Sequence, residues 1–252
     1  MAISPSSRAK ARAGLAKSLA VYYRDTTRRA RMDHLHAQFV PRGGLCFDIG
    51  AHVGDRTASF ASLGARVVAL EPQPRMYRAL RLIHRNTPGV RLLNQAVGAR
   101  EGRMVLHLNT ANPTVASLSE AFVQAAASTD GWRQERWDAQ IEVEVTTLDA
   151  LIAEYGKPDF VKIDVEGFEA DVFEGLSSAL PALSFEFTTL QRDVARSGLA
   201  RLAQLGRYIC NLSLGETHRL ELAQWISSEK MAAHIDALPD AVNSGDIFVR
   251  RA

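Results

Sequence analysis

The chain has 252 residues, 46% hydrophobic and 23% charged, with two cysteines and a formal net charge of +2. That is enough for one large domain with a sizeable core. The composition excludes a collagen, a mainly disordered chain and a coiled-coil rod, and no apolar run approaches the roughly 20 residues that span a bilayer.

The charge is uneven. Residues 1–31 hold Arg8, Lys10, Arg12, Lys17, Arg24, Arg28, Arg29 and Arg31 against Asp25 alone, a local net of +7 that leaves −5 for the rest. Leu15, Leu19 and Tyr22 recur at helical spacing, so residues 1–40 read as a basic helical arm preceding a main domain over 41–252. Such an arm suits an acidic face of its own domain, an anionic membrane surface or a nucleic acid. It lacks the continuous apolar stretch of a secretory signal. Cys46 and Cys210 sit far apart in apolar stretches, make neither a disulfide framework nor by themselves a zinc site, and fit a reducing, cytoplasmic setting.

From Leu45 short apolar runs alternate with amphipathic segments. Leu45–Ile49, Arg66–Leu70, Val90–Leu93, Phe160–Ile163, Leu183–Phe187, Tyr208–Leu212 and Ile247–Val249 read as strands buried between two helical layers. Met76, Leu80 and Ile83 mark one helix, and Leu148, Leu151, Ile152 and Tyr155 another, capped by Thr147. Phe168, Val172 and Leu176 mark a third, whose opposite face carries Glu169, Asp171 and Glu174. The alternation predicts an α/β fold, a doubly wound and mostly parallel sheet. Met104–Leu108 and Ile141–Val145 interrupt the rhythm as two further strands. They enclose residues 109–139, long enough to be a functional or mobile insertion and a candidate acceptor lid. Trp132 and Trp137 there either close over an acceptor or pack ordinarily.

The polar residues fall at strand ends: Asp48, Glu71, Gln95, Asp164 and Glu186. In open α/β sheets the ligand crevice lies outside the carboxyl ends of the strands, where strand order reverses. The first strand runs into Asp48-Ile49-Gly50-Ala51-His52-Val53-Gly54-Asp55. A dinucleotide fingerprint places a second glycine where His52 stands, so this turn suits a smaller ligand than a pyrophosphate, approaching closely at Gly50. Glu71, 21 residues after Gly50, stands where an acidic side chain accepts both hydroxyls of a ribose. A ribose without a diphosphate describes S-adenosylmethionine.

The stretches FDIGAHVGD (47–55), ALEPQP (69–74), NQAVG (94–98), TTLDALI (146–152), DFVKIDVEGFE (159–169) and SFEF (184–187) together resemble the FkbM-type methyltransferase family. The resemblance runs from about Leu45 to Glu186. It implies a class I, Rossmann-like methyltransferase fold with seven strands in order 3-2-1-4-5-7-6, the last antiparallel and formed by Ile247–Val249. It also implies S-adenosylmethionine as cofactor and oxygen as the methylated atom. The family often carries asparagine where His52 stands, which leaves the role of that position open.

By position, Gly50, His52 and Gly54 line the methionine part of the cofactor, and Asp48 orders that turn or meets the amino group. Glu71 holds the ribose, and Gln95 with the backbone of Ala96 meets the adenine. Asp164 contacts the cofactor or accepts the acceptor's proton, and Glu186 is a second candidate base. Glu166 shares a face with Asp164 in extended backbone. A carboxylate at a helix start is stabilised there anyway, so no metal set is assigned. The expected acceptor is a small molecule or a sugar or glycan hydroxyl. No nucleic-acid partner and no membrane span are expected, and a homo-oligomer is left open. The competing reading is a nicotinamide-dependent oxidoreductase on the same layout, against which the missing middle glycine argues.

Overall fold

In the computed structural model, which describes residues 5–252, the chain begins with two helices, α1 (Pro5–Tyr23) and α2 (Thr26–His36). Residues 1–4 of the expected arm lie outside the described residues. Strand–helix alternation follows: β1 (Leu45–Ile49), α3 (Asp55–Ser62), β2 (Arg66–Leu70), α4 (Pro74–His84) and β3 (Val90–Leu93). Next come β4 (Ala96–Val97), β5 (Gly102–Leu108), α5 (Glu120–Ser128), β6 (Ala139–Thr146), α6 (Leu148–Tyr155), β7 (Phe160–Ile163) and α7 (Glu169–Glu174). The chain ends with β8 (Ala182–Thr188), α8 (Arg192–Leu205), β9 (Tyr208–Leu214), β10 (Ile226–Ser227), α9 (Ser228–Ala237) and β11 (Ser244–Arg251).

Among the described residues the main sheet has eight strands in the order β10-β9-β11-β8-β7-β1-β2-β3. The expected order of seven is present in full. β11 runs antiparallel to both neighbours, with Ile247 opposite Phe185 and Leu212. The eighth strand, β10, adds two residues antiparallel to β9 at the edge, too short to leave a periodic signature. β4, β5 and β6 form a separate small sheet, in which β5 and β6 are antiparallel and β4 lies parallel to β6. Val143 and Val145 face its interior and Glu142 and Glu144 face solvent, the alternation of a strand covered on one side.

Strand pleating divides the core. Leu45, Phe47 and Ile49 of β1 join a layer with Leu148, Val172, Leu199 and Ile235 from α6 to α9. Cys46 points the other way, into a layer built from Leu35, Phe39, Phe60, Phe160 and Phe248. Phe39 stacks on Phe160 and on Phe248 with ring centroids 5.4 and 5.3 Å apart; burial of each such ring contributes about 1.5–3 kcal/mol. Asp48 and Lys162 follow Cys46 and Phe160 by two residues and so fall on this second face. The chain leaves β1 outward to β2 and β3, then returns to β7 on the opposite side of β1. The β1/β7 junction is the reversal point, and the site forms there.

Candidate active site

β1 ends in a turn with three left-handed residues, Gly50 (φ 80°), His52 (φ 49°) and Gly54 (φ 83°). A Cβ on Gly50 would overlap the Asp164 carbonyl oxygen, so the strand end leaves no room for a side chain. Left-handed backbone at position 52 accounts for the family's asparagine, since Asn and His are among the residues that adopt it most readily. Gly54 is the N-cap of α3. A Cβ there would strike Leu80 and His84, so Gly54 sits behind the turn.

Glu71 follows β2 and is 2% exposed. Its two oxygens accept from the backbone N–H groups of His52 (2.9 Å) and Gln73 (2.7 Å). Each carboxylate oxygen keeps a second lone pair, so the group can still receive a pair of hydroxyls. Burial pushes its pKa up to about 7, against the pull of those N–H groups. Asp48 lies behind the turn, accepts from the Thr57 hydroxyl at 2.5 Å, and is raised by burial to about 6.

One cleft of about 780 Å³, counted out to its open mouth, gathers Gly50, His52, Glu71, Gln95, Ala96, Asp164 and Glu186. Pro72 and Gln73 line the same cleft, with Thr114, Ala116 and Leu118 from the 109–139 segment. Asp48 and Gly54 do not reach its wall. Trp132 and Trp137 are packing residues: both set their rings edge-on to the buried Phe122, at 5.4 and 6.0 Å.

The far end of the cleft is acidic. Asp164 is 3.3 Å from the Lys162 ammonium, and Asp246 is 2.6 Å from it. Lys162 is 1% exposed; burial alone would lower its pKa, but Asp164 and Asp246 hold it above the ordinary lysine value. Carboxylate oxygens of Asp164, Glu166 and Glu186 lie within 4.8 Å of one another. This set has the hardness and spacing to take a divalent cation. Glu166 adopts φ 53°, and Oε2 of Glu186 is buried without a hydrogen-bond partner. Burial and the neighbouring carboxylates raise both Glu166 and Glu186 well above the usual range. Glu169, expected on the outer face of its helix, is instead 2% exposed. α7 is only six residues long, and its first carboxylate turns back to accept from the Val165 N–H at 3.1 Å.

Two cleft residues escape any strand-end reading: Tyr22, carried by α1, and Glu216, from the loop after β9. They belong to one latch. The Arg28 guanidinium pairs with Asp55 at 3.0 Å and also with Glu216. Arg56 pairs with Asp55 and Glu216 and lies over the Tyr22 ring at 5.7 Å. The His52 ring hydrogen-bonds to Ser18 at 2.9 Å and meets Tyr22 edge-on. Burial lowers the His52 pKa to about 4, so its ring is neutral near pH 7 and serves the docking of α1.

A parallel sheet reversing beside β1, a glycine turn without a pyrophosphate seat and an acidic residue on the adjoining strand end define a class I, S-adenosylmethionine-dependent methyltransferase. Residues 48–205, more than half of the chain, match the Methyltransferase FkbM domain; the chain belongs to the FkbM methyltransferase family. That membership sets aside the nicotinamide-dependent alternative. The chain is 25% identical over 177 residues to the hexuronic acid methyltransferase AglP of Haloferax volcanii, covering 68% of this chain and 67% of that protein. It is 29% identical over 150 residues to the 2-O-methyltransferase NoeI of Sinorhizobium fredii, covering 57% and 62%. The matched part thus spans about two thirds of either relative. Among solved structures, a TehB-like SAM-dependent methyltransferase from Corynebacterium glutamicum superposes with TM-score 0.47 at 13% identity, covering 98% and 97% of the two chains. The O-methyltransferase from Bacillus cereus in complex with SAH gives 0.46 at 12%, covering 100% and 93%. No described helix is long and apolar enough to cross a membrane.

Proposed function

We propose that the protein methylates a hydroxyl oxygen of a sugar, a glycan or another small polyhydroxylated acceptor. The observation that carries this reading is the acidic far end of the cleft. Asp164, Glu166, Glu186 and Glu216 line it together, a wall of carboxyl groups suited to hydrogen-bonding hydroxyls. The printed functions of the two curated relatives, one acting on a hexuronic acid and one a 2-O-methyltransferase, support it.

The cofactor supplies a methyl group on a cationic sulfur. Glu71 holds its ribose, Gln95 and the backbone at Ala96 its adenine, and the Gly50–His52 turn its methionine part. Gly54 and Asp48 shape that turn from behind. The residues fit this group: Gly50 lines the cleft at the end of β1, and Glu71 is buried with acceptor capacity to spare. Residues 109–139 contribute Thr114, Ala116 and Leu118 to acceptor selection. Positioning provides most of the acceleration, because orientation alone reaches effective molarities of about 10⁵ M or more. Glu186, whose pKa burial among carboxylates raises, donates a hydrogen bond to the acceptor. Asp164, oriented by Lys162, would take the acceptor hydroxyl's proton, the methyl–sulfur bond being the one broken and the neutral thioether the leaving group.

The test is methyl-labelled S-adenosylmethionine with a panel of free sugars, uronic acids and oligosaccharides, alongside amines and RNA. We expect label on a sugar oxygen, and Asp164→Asn to lower kcat by about 10²–10⁴-fold with a smaller change in cofactor affinity. Label confined to amines or RNA, or an undiminished kcat in that variant, refutes the proposal.

A further inference from the structure

α4 packs Met76, Ala79 and Leu80 inward and leaves Leu82 and Ile83 69% and 37% exposed. Between these two residues and Leu15 and Leu19 of α1 runs an open apolar groove of about 1090 Å³, with Arg12, Arg75 and Arg78 on its rim. Arg81 and Arg85 extend the basic border past Leu82. Neither helix contains a carboxylate. The arginines that form ion pairs among the described residues are others: Arg28, Arg29, Arg56, Arg103, Arg133, Arg192 and Arg196. Five guanidinium groups therefore surround an exposed aliphatic strip with no anion of their own, on a chain whose residues beyond 31 carry net negative charge.

We propose that this α1/α4 face docks the protein on an anionic lipid surface. Arginine heads meet lipid phosphates while their stems, Leu82 and Ile83 enter the boundary between headgroups and acyl chains. The chemistry discriminates against other occupants. The groove lining has no aromatic ring on which a base could stack, and a second copy would set arginines against arginines. The two helices also supply Tyr22 to the cleft and, at the N-cap of α4, Gln73, so the face and the site share their scaffold. The proposal does not depend on which acceptor is methylated.

The experiment is co-sedimentation of the full chain with phosphatidylcholine vesicles, with and without phosphatidylglycerol. Binding is expected only to the phosphatidylglycerol vesicles and is weakened by salt. Arg78→Gln, Arg81→Gln or Arg85→Gln should each lower the partition coefficient about fivefold, and Leu82→Ser by about threefold or more at unchanged charge. Thermal unfolding and S-adenosylhomocysteine binding of each variant, both unchanged, verify that the fold is intact. Three outcomes overturn the proposal. They are equal or no binding to the two vesicle types, binding indifferent to these substitutions, and a short RNA or a self-dimer occupying the face in place of vesicles.

Discussion

As the proposed ribose anchor, Glu71 has to be buried and ionised at once. Desolvation pushes it to about 7, while two backbone N–H groups, from His52 and Gln73, favour its charged form. In the proposed binding mode a ribose diol donates to the carboxylate, so cofactor binding draws on the ionised state and is linked to loss of a proton. Affinity for S-adenosylhomocysteine should therefore fall as pH drops through about 7. Isothermal titration across that range measures it. Glu71→Gln should remove most of the pH dependence and weaken binding by about 10–100-fold, the loss of hydrogen bonds to a charged group worth roughly 1.5–3 kcal/mol. A pH-independent wild-type affinity, or a Gln variant that binds normally, rules out Glu71 as the ribose anchor. Gly50 is a poorer probe, because any Cβ there collides with the Asp164 backbone and perturbs the fold along with the site.

At the scale of elements, α1 is held over the turn between β1 and α3 by groups that the turn itself supplies: the His52 ring to Ser18, and the Val53 backbone carbonyl, which accepts from the Tyr23 hydroxyl at 2.9 Å. Arg28 closes the latch onto Asp55 and Glu216. Burial alone would raise Glu216, but Arg56, His218 and Arg28 outweigh it and hold it far below the usual range. Arg28→Ala should cost about 2–3 kcal/mol, less than the roughly 3–5 kcal/mol of a wholly orphaned buried charge, because Arg56 stays 2.6 Å from Asp55. Chemical denaturation gives the stability change. Hydrogen exchange should show faster exchange concentrated in α1, and unchanged exchange there means that Arg28 does not hold the helix. This latch was not legible in the sequence, which marks α1 as basic and amphipathic without naming what it docks against. The strands were legible because β1, β2 and β7 are nearly continuously apolar, and their termini placed Glu71, Gln95, Asp164 and Glu186 on one rim. Tyr22 and Glu216 arrive from a helix and a loop whose positions no periodicity specifies. The grouping of Glu166 with Glu186 depends on the left-handed turn at Glu166, where strand alternation no longer applies.

For the whole molecule, the concentration of carboxyl groups in and behind one rim sets the dependence of stability on pH. Asp48 is raised to about 6, Glu71 and Glu169 to about 7, and Glu166 and Glu186 well above their usual range, in every case with burial the largest cause. A carboxyl group raised in the folded state binds its proton more tightly there than in the unfolded chain. Its stabilisation is complete below the unfolded value of 3.8 or 4.5 and is lost as pH rises through the folded value. His36, His52 and His84 act in the opposite sense. Burial lowers all three, so their contribution is present above 6.5 and is lost as pH falls, through about 4 for His52. Above the ordinary histidine value of 6.5 the carboxyl groups dominate the slope, so the cofactor-free protein should lose stability as pH rises from there through about 7. Differential scanning calorimetry should show Tm declining over that interval, at about 2–4 °C per kcal/mol for a chain of this size. Glu186→Gln, neutral at every pH and similar in shape, should flatten the decline. Saturating S-adenosylmethionine should raise Tm most at the alkaline end, since its cationic sulfur and ribose favour the ionised rim. A Tm that climbs steadily across the interval, or a decline that Glu186→Gln leaves intact, means that these carboxyl groups do not govern the stability of the molecule.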